Sequence, residues 1–210
     1  MAHDEAYYQA EKKIEEALKS GATELDLSSM KLTELSESIG QLTQLKKLDL
    51  SWGYRDQNKK NRLITLPDSL GQLMQLQILD LSCNQLTSLP ESLAQLTQLQ
   101  AMDISNNQLT TLPESFAQLI ELQSLDISIN KLTALPEFIQ KLKKLNELRF
   151  FSNDLELIPD WIGNLVSLEI LSFGANKFHA VPNSVGKLKK LKQLGLGSNL
   201  GTTPLSYLPE

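Results

Sequence analysis

One interval governs this chain. Leu76, Leu99, Leu122, Leu145, Leu168 and Leu191 follow one another 23 residues apart, and each opens a stretch with the same internal offsets. Three residues on stand Leu79, Met102, Leu125, Leu148, Leu171 and Leu194. Two further come Leu81, Ile104, Ile127, Phe150, Phe173 and Leu196. Three beyond those stand Asn84, Asn107, Asn130, Asn153, Asn176 and Asn199, and a Leu-Pro-like step follows at Leu89-Pro90, Leu112-Pro113, Leu135-Pro136, Ile158-Pro159 and Val181-Pro182. In an extended segment Leu79 and Leu81 share one face, while Ile78 and Asp80 point to the other. One unit cannot bury that apolar face by itself, so neighbouring units must stack, and a fixed period over most of a chain specifies a solenoid.

The frame L-x-x-L-x-L-x-x-N-x-L, with LDLSCNQLTSLP and LPESLAQLTQLQ as typical text, resembles the leucine-rich repeat family in its 23-residue form. The resemblance covers about residues 22–210. It implies an α/β fold: a right-handed solenoid, or horseshoe, with short strands in a parallel sheet on the concave side and short helical turns on the convex side. The asparagines are expected in a sharp bend, as a structural ladder whose amides serve backbone groups of adjoining coils. The prolines end each strand and preset φ for the helical turn. Leu93 and Leu96 then point inward, leaving Glu91, Gln95, Thr97 and Gln98 outside.

The departures from regularity organise the rest. Asp4 to Ser20 carries a helical stripe of Tyr7, Ala10, Ile14, Ala17 and Leu18, and Gly21 can end that helix, so residues 1–21 read as an N-terminal capping helix. Residues 22–210 read as about eight units, the last incomplete. The first has Met30 in the Asn position and Ser36 in the Pro position. The second, from Leu45, is eight residues too long, and the excess, Gly53 to Lys60, is expected as a polar loop at the strand end. The frame stops mid-unit at Leu208-Pro209-Glu210 without a polar capping unit, so the natural protein is expected to continue. The opening DEAYYQAEKKIEEALKSGATELDLS resembles the entry to the amino-terminal repeats of bacterial Roco and other Ras-like GTPase-linked repeat proteins, which implies the recognition arm of a larger signalling protein.

Chemistry has little foothold. There is no phosphate-binding loop and no dinucleotide fingerprint. His3 and His179 lie too far apart for a shared metal site or a Ser/His/Asp grouping. Cys83, the lone cysteine, is placed at a strand end facing the concave side, with no His or Lys in its unit to activate it. No catalytic residue, metal or cofactor is assigned. The net charge of −5 disfavours nucleic acid. Two lysine islands, at 141–144 and 187–190, read as solvated edge. No stretch has the roughly 18 apolar residues of a membrane span. The charged N-terminal residues and the single cysteine point to a cytoplasmic protein. Repeat-bearing bacterial effector ligases resemble the chain in their Leu-Pro steps, but their units are shorter.

The expected work is therefore binding of a protein or peptide on the concave face. Its central column reads Asp26, Asp49, Asp80, Asp103, Asp126, then Arg149, Ser172 and Gly195, a like-charge ladder suited to a basic segment unless it is ordinary consensus tolerated in open solvent. Beside it, Trp52, Ile78, Ile129, Arg149, Phe151 and Ile170 are expected to be exposed, and Arg149 with Phe151 has the composition of an interface anchor. Phe150 and Phe173, in the inward phase, are assigned to the core. At the inserted loop, Tyr54 and Arg55 join Trp52 as a second candidate patch, unless Trp52 merely packs the root of the loop. The alternative is a structural module that self-associates as a homodimer through its uncapped C-terminal end.

Overall fold

The computed structural model describes residues 4–53 and 57–196, with side chains for all of these but Gln57. Tyr54, Arg55 and Asn199 lie outside the described residues, as does the end of the chain with its expected missing cap. One helix, α1 (Glu5–Ser20), precedes eight three-residue strands: β1 (Glu24–Asp26), β2 (Lys47–Asp49), β3 (Ile78–Asp80), β4 (Ala101–Asp103), β5 (Ser124–Asp126), β6 (Glu147–Arg149), β7 (Ile170–Ser172) and β8 (Gln193–Gly195). They form one parallel sheet in strict sequence order. Every strand pairs with the next at the same position of the repeat, so Asp80 lies beside Asp103 and Asp126 beside Arg149. This is a leucine-rich-repeat solenoid.

Local chemistry explains each element. The Asp4 carboxylate accepts the Tyr7 amide at 2.9 Å to start α1. Gly21, at φ 64°, ends it, with its N–H turned back to Ala17 and Leu18. Ala10, Ile14 and Ala17 bury against the first coil, whereas Leu18 of the expected stripe is exposed. On the opposite wall each coil carries a five-residue 3-10 turn, such as Glu91–Gln95 and Glu114–Gln118. Pro90 sits just before its turn rather than inside it, in extended conformation at φ −70° and ψ 143°, and its carbonyl accepts the Leu93 amide. In the first coil Ser36 takes that position and caps the turn by accepting from the Ser38 amide. These turns pack so closely that a Cβ on Gly163 would come within 2.4 Å of the Ser184 carbonyl oxygen.

The core is one continuous cluster along the coil axis. Leu93 and Leu96 are wholly buried, with Glu91, Gln95, Thr97 and Gln98 outside, as expected. Phe150 and Phe173 are also wholly buried and stack at 5.8 Å, with Phe178 meeting both rings edge-on.

Buried asparagines join the coils. The Asn130 Oδ1 accepts the Leu109 amide of the preceding coil at 3.0 Å. Its Nδ2 donates to Ile104 of that coil and to Ile127 and Ser128 of its own. Asn84, Asn107, Asn153 and Asn176 repeat the arrangement. A further rung, Asn61, was not assigned from the repeat. It accepts from Met30 and Leu32 and donates to Leu27 and Leu50. The insertion therefore lies before the asparagine, and the coil regains its register there. Met30 makes no comparable stitch, because each ladder asparagine bonds back to the preceding coil and the first coil is preceded by helix α1.

Candidate functional site

The concave face is built from the outward residues of the strands. A groove of about 250 Å³ lies across β3 to β6, lined by Ile78, Asp80, Ala101, Asp103, Ser124 and Asp126, and closed at one end by Glu147 and Arg149. Its middle is open because Ala101 and Ser124 are short. Ile78, Ile129 and Phe151 stand out from it, at 42%, 41% and 37% exposed. Arg149 and Ile170 are half-buried on the same sheet, and Arg149 is ion-paired through its Nε to Glu147.

The aspartates have a structural task as well as a charge. Each turns one carboxylate oxygen to the amide two residues on: Asp49 to Ser51, Asp80 to Ser82, Asp103 to Ser105 and Asp126 to Ser128, all at 2.9 Å. This fixes the turn that leaves each strand. It also holds the carboxylates half-buried instead of in open solvent. Desolvation pushes the carboxyls of Asp80, Asp103 and Asp126 above the ordinary range, against the serine hydrogen bonds. Repulsion from Asp103 and Asp49 adds to the rise at Asp80, whereas Arg149 opposes it at Asp103 and Asp126. At Asp26 desolvation is outweighed by the Ser28 hydrogen bonds and by Lys13 and Lys47, and its carboxyl sits below the ordinary range.

The sign of the resulting pH dependence is definite. A carboxyl whose value is higher in the folded chain than in the unfolded one makes folding take up protons. Its contribution to stability is full below the ordinary carboxylate value and is lost as pH rises through the folded value. Exchanging Asp80, Asp103 and Asp126 together for Asn keeps the turn-fixing oxygen and removes the buried charge. The triple variant is expected to have a higher thermal midpoint than the parent at neutral pH, and the difference should shrink on acidification toward the ordinary carboxylate range. Melting curves across that range check this; a variant less stable at neutral pH contradicts it.

Backbone strain singles out one residue beside the groove. The coils turn through left-handed φ angles at Cys83, Asn106, Ile129, Ser152 and Ala175, between 52° and 60°. Asparagine suits that conformation; a β-branched residue is least suited, with a penalty of roughly 1–2 kcal/mol. Ile129 is the β-branched member of this set, and it is exposed.

Two expectations are corrected here. Trp52 is 7% exposed, not a free concave aromatic. It packs at the root of the inserted loop, with the Lys60 ammonium 5.5 Å from its ring centroid; residues 57–59 form a 3-10 turn, and the Lys59 carbonyl accepts the Lys31 amide of the preceding coil. Cys83 is fully buried instead of facing the concave side. The same left-handed bend leaves Ile129 exposed, so it is the neighbouring coil that covers Cys83, whose Sγ accepts from Asn106 Nδ2 at 3.2 Å. Among the described residues, no group of three or more His, Cys, Asp or Glu side chains could hold a metal, and no helix is long and apolar enough to cross a membrane.

Coiled repeats with a parallel inner sheet and a stitched asparagine column define the class of leucine-rich-repeat scaffolds, which generally serve in protein interaction. The chain matches the leucine-rich repeat region family over residues 57–151 and 102–204. It belongs to that family. No curated protein matches it. Among solved structures, a leucine-rich-repeat protein of Leptospira interrogans is similar, with 33% sequence identity and a TM-score of 0.64 over 90% of this chain. The match spans 59% of the length of that protein.

Proposed function

We propose that the chain is a non-catalytic protein-interaction scaffold that holds a protein or peptide in the groove across β3 to β6. The observation that carries this reading is the pairing of a half-buried, like-charged floor at Asp80 and Asp103 with the exposed apolar side chains Ile78, Ile129 and Phe151. Charge left desolvated and apolar surface left in water both favour a bound partner. Asp49, Asp126, Arg149 and Ile170 extend the same face. The convex wall also exposes apolar side chains, Met74, Ile120 and Val166 at the repeat position of Thr97, but it sets no half-buried column of carboxylates beside them.

Selection of short random-sequence peptides on the immobilised protein tests this. Ser124→Trp fills the centre of the groove from the surface, where it does not disturb the core. Peptides enriched on the parent should fail to bind Ser124→Trp and should still bind Gln95→Trp on the convex side. Binding that survives Ser124→Trp would refute the concave site.

We also propose that the scaffold is a cytoplasmic recognition arm of a larger bacterial signalling protein. The entry segment's resemblance to Roco-type repeats supports this, as does the bacterial origin of the similar structure. A GTPase in the reading frame downstream of Glu210 is the expected finding; a frame encoding an unrelated secreted or enzymatic domain would contradict it.

A further inference from the structure

The sheet register arranges the concave features along one diagonal. Ile78 opens β3 at one corner of the groove, and Phe151 stands two residues past the end of β6, outside the residues that line it. Between them Asp80, Asp103 and Asp126 occupy successive strands in register. From Ile78 to Phe151 the path crosses three strand spacings of about 4.8 Å and four residues of about 3.3 Å, roughly 20 Å in all. An extended chain covers that length with about six residues.

The floor under this path lacks a cation at its middle. The charges acting on Asp80 are Asp103 and Asp49, both negative. Arg149 acts on Asp103 and Asp126 from the far end, and its own Nε is engaged by Glu147. Ile129 supplies an independent observation at the apolar corner. Its amide is bonded to the Phe151 carbonyl at 2.8 Å, which sets the two exposed residues side by side. A strained, β-branched, solvent-exposed residue opposes folding without benefit to the free chain, and such residues gather at binding sites.

We propose that the groove takes an extended segment of another protein, spanning about six residue steps, with an apolar side chain at each end and Lys or Arg between them, laid from Ile78 to Ile129 and Phe151. This rests on the concave face being the binding surface. The basic side chain stands over Asp80 and Asp103, where it answers the unpaired charge, and the end residues cover the exposed apolar corners. The sheet face offers no free backbone groups, so specificity comes from these three side-chain contacts.

The same peptide selection supplies the test. Enriched peptides should place two apolar residues about six positions apart, on one face of an extended chain, with Lys or Arg between. A synthetic peptide of that sequence, followed by fluorescence anisotropy, should lose about tenfold in affinity against Asp80→Asn/Asp103→Asn, and the loss should narrow at high salt. Phe151→Ser and Ile129→Asn should each weaken it several-fold, while Ile129→Asn raises the thermal midpoint of the free protein by relieving the left-handed isoleucine. Peptides blocked by Ser124→Trp but lacking the basic centre, or with apolar residues at helical spacing, would overturn this occupant and leave the docking face standing. Peptides indifferent to Ser124→Trp would overturn the docking face itself. An unenriched pool would overturn both. A dimer in light scattering that Ser124→Trp dissolves would make a second copy of the chain the occupant, and would overturn the proposal too. An Ile129→Asn protein no more stable than its parent would remove the strain argument.

Discussion

Replacing Asn130 with leucine is expected to destabilise the protein by about 1–3 kcal/mol, a sizeable part of the stability of an ordinary domain. Leucine fits the volume but satisfies nothing. It would strand the Leu109 amide, bonded to the Asn130 side chain in the parent, in a site where water has no access, whereas the Ile104 carbonyl keeps its bond from Asn107 Nδ2. One stranded buried group costs about 1–3 kcal/mol. The Leu109 amide belongs to the preceding coil, so the damage falls on the interface between units, the term that holds a solenoid together. Chemical denaturation should show an earlier midpoint, and hydrogen exchange should show Leu109 among the amides that lose most protection. An unchanged midpoint would mean that the ladder is decorative.

Phe150→Ala is expected to cost about 3–5 kcal/mol. The ring is wholly buried and touches two others, stacked on Phe173 at 5.8 Å and edge-on to Phe178 at 6.4 Å. Truncation leaves a cavity that two rigid rings cannot collapse to fill. Phe150→Leu should cost much less, because leucine occupies this spine position at Leu50 and Leu81. Denaturant midpoints for the two variants, measured together, separate lost volume from lost aromatic contact; equal losses would show that ring stacking, not volume, holds this region.

Much of the fold could be read from the residues because repetition averages out local ambiguity. A three-residue strand such as Ile78–Asp80 is too short to recognise by itself, yet its recurrence every 23 residues gives both its identity and its register. The inward phase of Phe150 and Phe173 followed from the same alignment. So did the ladder, except at Asn61, where eight inserted residues displaced it from the expected offset. The signal was present nonetheless: Asn61, Leu63, Leu66 and Pro67 keep the spacing of Asn84, Leu86, Leu89 and Pro90.

The candidate site was less legible, because alternation assigns a residue to a face only while the backbone stays extended. Cys83 and Ile129 occupy the same repeat position, yet one is buried and the other exposed. Both have left-handed φ, and what covers them depends on residues one coil away. Trp52 fails for a related reason, since Lys60, at the far end of the insertion, comes back over its ring. The aspartate column was correctly placed, but its burial was not foreseen. That burial comes from the turn in which each carboxylate binds the serine amide two residues on.

The 23-residue interval by itself determined that the chain coils, which residues face the core, and that like charges stack on the inner sheet. Those properties follow from period and from the need of each unit to bury an apolar face against its neighbours. Only the tertiary structure decided how far each inner-face residue meets water, that Asn61 completes the ladder, and that Ile78, Asp80, Asp103 and Asp126 line a single acidic groove. The physical reason is that exposure and proximity across coils are set by turns and by the neighbouring unit, neither of which the repeat pattern encodes.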